Sequence, residues 1–176
     1  MSTRVASRFT IEQAVEMLDT QPRRIAVATK GVSATRLRRD KVLGEWTAVD
    51  ILAHLRACSD ALGDVIPDIV RGGEPLRAVN PRSHIRRTNY RELEFATSFR
   101  AFARQRARLL KYLRALPRRD WARSRLFTGM GTPRVRTVMF YADWLAGHER
   151  AHVRHIERAF ASATRRRNSR RMKAGA

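Results

Sequence analysis

Five histidines stand in the sequence, and His148, His152 and His155 fall within one short stretch. On a helix that advances 100° per residue, His152 lies about 40° from His148, and His155 about 20° on the other side. All three therefore share a stripe with Tyr141 and Trp144. A pair at i, i+4 brings its imidazoles onto successive turns, where both can reach one divalent ion. His54 lies near the edge of another apolar helical face. Should those two helices run antiparallel, His54 stands about two turns from the start of one, and His148 and His152 about three turns before the end of the other. His54, His148 and His152 would then supply three nitrogen ligands and leave a position for water or substrate, as catalytic rather than structural metal sites do. His155 reads as a neighbour of the ligands or a hydrogen-bonded core residue. Cys58, one turn beyond His54, reads as a small core thiol before a soft-metal ligand. His84, in a basic linker, reads as solvated.

A second group concerns anions. Arg106 sits about 40° from Phe102 on a helical projection, between Phe99 and Leu109 on an apolar face. A core-facing arginine requires a carboxylate partner or an anionic ligand. An internal ion pair or a snorkelling side chain is the commoner outcome. A clamp on a substrate carboxylate near the metal is the functional one, which makes Arg106 a substrate candidate beside His155, Tyr141 and Trp144. Arg100, Arg104, Arg108 and Lys111 form a stripe on the other side of that helix, the pattern of a solvated face. Gly129-Met130-Gly131 reads as a turn, and no phosphate loop, CxxC pair or nucleophile elbow is present.

These residues need elements to hold them, and the periodicity predicts four long helices and no strand. The first covers about residues 9–30, with Ile11, Val15, Leu18 and Ile25 at helical spacing and a kink or restart expected near Thr20 because of Pro22. The second starts at Thr47, an N-cap with Asp50 three residues on, and Trp46 and Ile51 take the places of a hydrophobic staple. Its apolar face runs from Ile51 to Ile69, and Gly72-Gly73 and Pro75 end it. The third runs from about Tyr90 to Leu116 and stops at Pro117, followed by a short piece bearing Trp121. The fourth is expected after Gly131, with Thr132 as cap and Pro133 in the first turn, and continues to about Ala163. Four amphipathic helices of this length give an all-α four-helix bundle over residues 1–164.

The chain of 176 residues suits one domain with a full core. Its 37 basic and 16 acidic residues give a net charge of +21, which favours anionic partners. The segment 165–176 carries Arg165, Arg166, Arg167, Arg170, Arg171 and Lys173 without an acid, and is expected to be a disordered basic tail. That tail would bind polyanions weakly and without sequence preference. No apolar run approaches the ~20 residues that cross a bilayer, so no membrane span is expected. The first residues lack the apolar core of a secretory signal. A single cysteine excludes an internal disulfide framework and, with the missing signal, points to the cytoplasm.

Gly44-Glu45-Trp46-Thr47 followed by His54-Leu55, then Gly131 before the last helix, then His148-Glu149-Arg150-Ala151-His152, resembles the DinB/YfiT-like superfamily over roughly residues 9–163. The resemblance includes the short Trp121 segment. It implies a bundle with up-down-down-up topology and a metal triad that maps onto His54, His148 and His152. It also implies activities like those of thiol-dependent S-transferases using bacillithiol or mycothiol, or of mycothiol-dependent maleylpyruvate isomerase. The extra His155 and the basic tail depart from the family pattern. The expected function is thus a metal-dependent transferase or hydrolase acting on a small-molecule substrate. Its cofactors would be Zn²⁺, Ni²⁺, Fe²⁺ or Mn²⁺, with a low-molecular-weight thiol as a further candidate. A second copy of the chain is admitted as a partner. Two other readings stay open: a basic helical nucleic-acid-binding protein, and a metal-binding stress protein without catalysis.

Overall fold

The structure, a computed structural model, describes residues 7–174 and the side chains of 7–161. Helix α1, Ile11–Thr29, is opened by a capping box between Thr10 and Gln13. It runs through Pro22 as one element, so the expected restart near Thr20 does not occur. The short α2, Ala34–Arg39, leads into strands β1, Lys41–Leu43, and β2, Trp46–Thr47, which pair antiparallel across a turn containing Gly44. Helix α3, Ala48–Cys58, follows at once, then a π-helical turn, Ser59–Gly63, and α4, Ile66–Arg71. The single second helix expected from the apolar stripe is therefore interrupted immediately after Cys58. Strand β3, Leu76–Arg77, and helix α5, Pro81–Ile85, connect to α6, Phe95–Ala115, which begins five residues later than the spacing predicts. A 3₁₀ turn, Arg118–Ala122, carries the buried Trp121. Strands β4, Ser124–Thr128, and β5, Arg134–Thr137, precede the last helix α7, Val138–Ala174.

The start of α7 corrects the sequence reading. Thr132 and Pro133 lie before β5, and the Thr137 hydroxyl accepts the Phe140 N–H at 3.0 Å, which makes Thr137 the residue that caps the helix. The strands, unforeseen, form the β1–β2 hairpin and a second sheet of order β3-β4-β5, with β3 parallel and β5 antiparallel to β4. The backbone of α7 continues to Ala174, while the arginines expected to form a tail over 165–176 have side chains outside the described residues.

Side-chain pairs fix the helix directions. Phe9 N–H meets Asp143 and Arg24 meets Glu157, so α1 and α7 run parallel. Arg118 meets Glu12 while Arg114 meets Asp19, so α6 opposes α1. Arg56 meets Ser98, and Arg106 meets Ser59, so α3 and α6 are parallel. Trp46 stacks near His152 and His54 approaches His148, so α3 opposes α7. The result is a four-helix bundle of up-down-down-up topology. Its interior has two apolar clusters, one including Leu52, Leu55, Phe102 and Phe160, the other Leu18, Leu110, Trp121 and Leu145. The two meet between Leu55 and Cys58 on α3 and between Ala146 and Val153 on α7, which is the layer that holds the imidazoles. Among the described residues no helix is long and apolar enough to cross a membrane.

The start of α3 sets the height of His54. Thr47 Oγ1 accepts the Asp50 N–H at 3.2 Å, and Asp50 accepts the Thr47 N–H at 3.0 Å. Thr47→Ala breaks this box, and the expected cost is about 1 kcal/mol, or about 2–4 °C in melting temperature for a chain of this size. An unchanged thermal melt would show that the hairpin, not the cap, fixes this helix end.

Candidate metal centre

α3 presents His54 inward two turns after its cap, and α7 presents His148 and His152 one turn apart. His54 Nε2 lies 3.1 Å from His148 Nε2, and His152 Nε2 lies 3.3 Å from the same atom. The ligand atoms of the three are all within 4.8 Å of one another. Four ligands placed tetrahedrally at a Zn–N distance of about 2.0–2.1 Å stand about 3.3 Å apart along each edge. The two short separations match that edge. Hydrogen bonding cannot satisfy the same arrangement, because the single Nε2 of His148 offers one hydrogen or one lone pair and faces two partners. A cation between the three nitrogens satisfies all of them, so the donor set fits a divalent metal.

The indoles hold the rings in place. Trp144 stacks on His148 with centroids 4.3 Å apart and planes 16° apart. Trp46 lies nearly parallel to His152 at 6.1 Å and edge-on to His54 at 5.1 Å. The Nδ1 atoms of His148 and His152 are buried without a hydrogen-bond partner among the described residues. Metal-bound histidines usually donate that N–H to an acceptor; here aromatic stacking supplies the orientation. Burial is the first cause that lowers the basicity of all three rings. It brings His148 down to about 3 and His152 to about 4, and lowers His54, where the Arg82 and Arg91 charges add to it. All three are thus neutral at pH 7, the form that ligates.

This has a consequence for the metal-free protein. A histidine whose pKa is near 6.5 in the unfolded chain and lower in the folded one binds more protons in the unfolded chain. The stability of chelator-treated protein is therefore expected to fall as the pH drops from about 6.5 toward 3. Melts across that range check it, and His148→Phe should show a shallower fall.

The three imidazoles form one wall of a cleft of about 620 Å³, also lined by Trp46, Cys58, Pro81, Arg82 and Trp144. The Cys58 thiol lies 3.6 Å from His54 Nε2, outside the close nitrogen group, and burial pushes it up to about 12. His155 is half-buried and is not part of the group. Tyr141 lines a neighbouring cavity, and Trp144 lines both. Arg106 does not reach the cleft: it is 1% exposed and paired with Glu149, itself fully buried, with the Ser59 hydroxyl 3.1 Å away. The stripe of Arg100, Arg104, Arg108 and Lys111 is exposed, as a solvated face requires.

His84 corrects the reading of a solvated side chain. Its Nε2 lies 3.1 Å from Asp60, which also accepts from the Tyr90 hydroxyl at 2.8 Å and from Gln105. Asp60 falls in the π-helical turn, which turns it off the regular α-helical stripe and hides it from a periodicity argument. The stacking of Trp46 on the histidines was equally hidden, since its sequence position suggested only a staple.

The family model described as the DinB superfamily matches residues 17–156. No curated protein matches the chain in sequence. Among solved structures, the chain is similar to YfiT from Bacillus subtilis, described as "a probable metal-dependent hydrolase with an unusual four-helix bundle topology". The identity is 18%, with 98% of this chain and 93% of that one covered and a TM-score of 0.71.

Proposed function

The chain belongs to the DinB superfamily, and on that premise we propose that it is a metal-dependent enzyme that directs water or a low-molecular-weight thiol onto an electrophilic small molecule. The observation that carries this reading is the convergence of three imidazoles on the wall of a cleft, with His148 Nε2 at the tetrahedral edge length from both His54 and His152 and all three ligand atoms within 4.8 Å of one another. His54, His148 and His152 would hold one divalent ion, of which Zn²⁺, Ni²⁺, Fe²⁺ and Mn²⁺ suit three imidazoles. A divalent ion at this place supplies Lewis acidity, lowering the pKa of a water or thiol and polarising an electrophile.

The chain's own residues do the rest. Neutral imidazoles leave the site its full positive charge. Trp46 and Trp144 fix the rings and shield one side of the site from water. Arg82, exposed at the lip of the cleft, favours an anionic reactant. Cys58, buried and held in its thiol form in the absence of metal, packs beneath His54 and offers no competing nucleophile.

The test uses untagged, metal-loaded protein and its His148→Ala variant. One assay pairs a low-molecular-weight thiol with 1-chloro-2,4-dinitrobenzene, and the other follows hydrolysis of 4-nitrophenyl acetate. Acceleration that depends on the metal in the first supports thiol transfer, and in the second hydrolysis. Full metal occupancy with no acceleration across a panel of thiols and esters would leave a metal-binding protein without catalysis.

A further inference from the structure

A second cavity, of about 350 Å³, shares Trp144 and Pro81 with the imidazole cleft. The indole that stacks on His148 is thus also a wall of this chamber. Most of the lining is apolar, with Leu62, Val65, Phe127, Phe140 and Tyr141 among it. Three arginines line it as well: Arg77 on β3, and Arg134 and Arg136 on β5. Among the described residues none of the three forms an ion pair, whereas Arg24, Arg114 and Arg118 on the bundle's surface each hold a carboxylate.

The local structure places these cations deliberately around one space. The alternation of a strand puts Arg134 and Arg136 on one face of β5 and leaves Val135, 55% exposed, on the other. Phe127 pairs with Arg134 across the β4–β5 ladder, which brings ring and guanidinium to the same face. The Arg136 guanidinium lies 4.2 Å from the Phe140 ring centroid and is held on the chamber wall. Gly129, at φ +85°, has no side chain where a Cβ would stand 3.1 Å from Arg77 Cγ, so Arg77 can lie across the turn. The Tyr141 hydroxyl makes no hydrogen bond to a described residue.

Arg136 is half-buried on the chamber wall, while Arg77 and Arg134 are exposed at its rim, so three like charges face one space without a described carboxylate among them. A carboxylate relieves their repulsion, and a guanidinium meets it with two parallel N–H donors. A bare inorganic anion would leave the aromatic walls in water, whereas a hydrocarbon or aryl body covers them. We infer that this chamber binds an amphipathic small molecule, with its carboxylate on Arg77, Arg134 and Arg136 and its apolar body against Phe127, Phe140 and Tyr141. Its role as the substrate's anchoring end rests on the metal-dependent reading above; its binding does not. The sequence suggested a carboxylate clamp at Arg106, but that side chain is committed to Glu149, and the unpaired arginines are on strands the periodicity did not reveal.

Calorimetric titration tests this with 4-phenylbutyrate, 4-phenylbutanol and inorganic phosphate as probes, on metal-loaded full-length protein. The acid is expected to bind about tenfold or more tightly than the alcohol or phosphate, since charge-assisted and apolar contacts are both needed. A combined Arg77→Gln, Arg134→Gln and Arg136→Gln variant should lose about tenfold or more. Arg100→Gln, Arg104→Gln and Arg108→Gln together remove the same charge from an exposed face of α6 and should leave affinity unchanged. His148→Ala, with metal content measured on the same sample, should also retain the acid. Equal binding of acid and alcohol, equal loss in both triple variants, or loss of the acid in His148→Ala would each overturn the chamber. Intact binding of the acid to a protein that takes up no metal would support the chamber and defeat the metal-dependent reading.

Discussion

Alanine at His148 is expected to strip the chain of its divalent ion. His148 Nε2 is the atom common to both short contacts, 3.1 Å from His54 and 3.3 Å from His152. Removing it leaves two nitrogens that no longer share a neighbour. Losing a group that merely orients a ligand typically costs about 10–100-fold in metal affinity, and losing a ligand from a set of three should exceed the upper end. His54→Ala and His152→Ala are expected to follow the same course. His84→Ala should keep its metal, because its ring is committed to Asp60 away from the group. The measurement is elemental analysis of untagged protein after dialysis against a weak chelator. About one ion per chain is expected in the wild type and in His84→Ala, and little in the other three. Full occupancy in all three triad variants would sink the assignment.

The grouping of the three histidines was legible because helical phase is rigid. An i, i+4 pair needs only the 3.6-residue period to be placed on one stripe, and His54 needs only a cap to fix its height. Thr47 and Asp50 announce that cap in the sequence and form it in the structure. What was not legible depends on short or irregular backbone. Strands β3, β4 and β5 have two, five and four residues. Such runs are too short for a period of two to rise above the arginine-rich background. Thr137 caps α7 with Phe140, not an acid, three residues on, so Thr132 followed by Pro133 looked like the better start. The π-helical turn at Ser59–Gly63 shifts the phase of everything after Cys58, and with it Asp60 and the partners of His84. Arg106 was legible in part. Its apolar neighbours demanded a counter-charge, but nothing in α6 itself could say that Glu149, beside His148 on α7, would supply it.

That buried pair carries the other large effect. Arg106 is 1% exposed and Glu149 fully buried. Arg106 Nε and Nη1 and one Glu149 oxygen lack partners among the described residues, so neither charge is fully compensated. Burial is the leading cause acting on Glu149 and raises its carboxyl above the ordinary value of 4.5, with Arg106 pulling the other way. The two single variants should therefore behave differently with pH. Glu149→Leu leaves a guanidinium that cannot shed its proton, and is expected to cost about 3–5 kcal/mol near pH 5, a deficit that shrinks as the pH rises because the raised wild-type carboxyl itself loses stability in that direction. Arg106→Met leaves a carboxyl that can take one up. Without Arg106 its folded pKa rises further, so the folded state binds more protons than the unfolded one above the ordinary value. Its stability then falls as the pH rises. The deficit of Arg106→Met, taken as a difference from wild type at each pH so that the histidines cancel, should be small near pH 5 and approach that of Glu149→Leu near pH 8. Combining both substitutions should restore most of the stability, because two apolar side chains of similar volume replace two imperfectly paired charges. Denaturant melts at three pH values decide it, with metal content on each sample as the control that the imidazole layer is intact. A pH-independent deficit in Arg106→Met, or strict additivity in the double variant, would mean that the carboxyl and the guanidinium do not act as a buried pair.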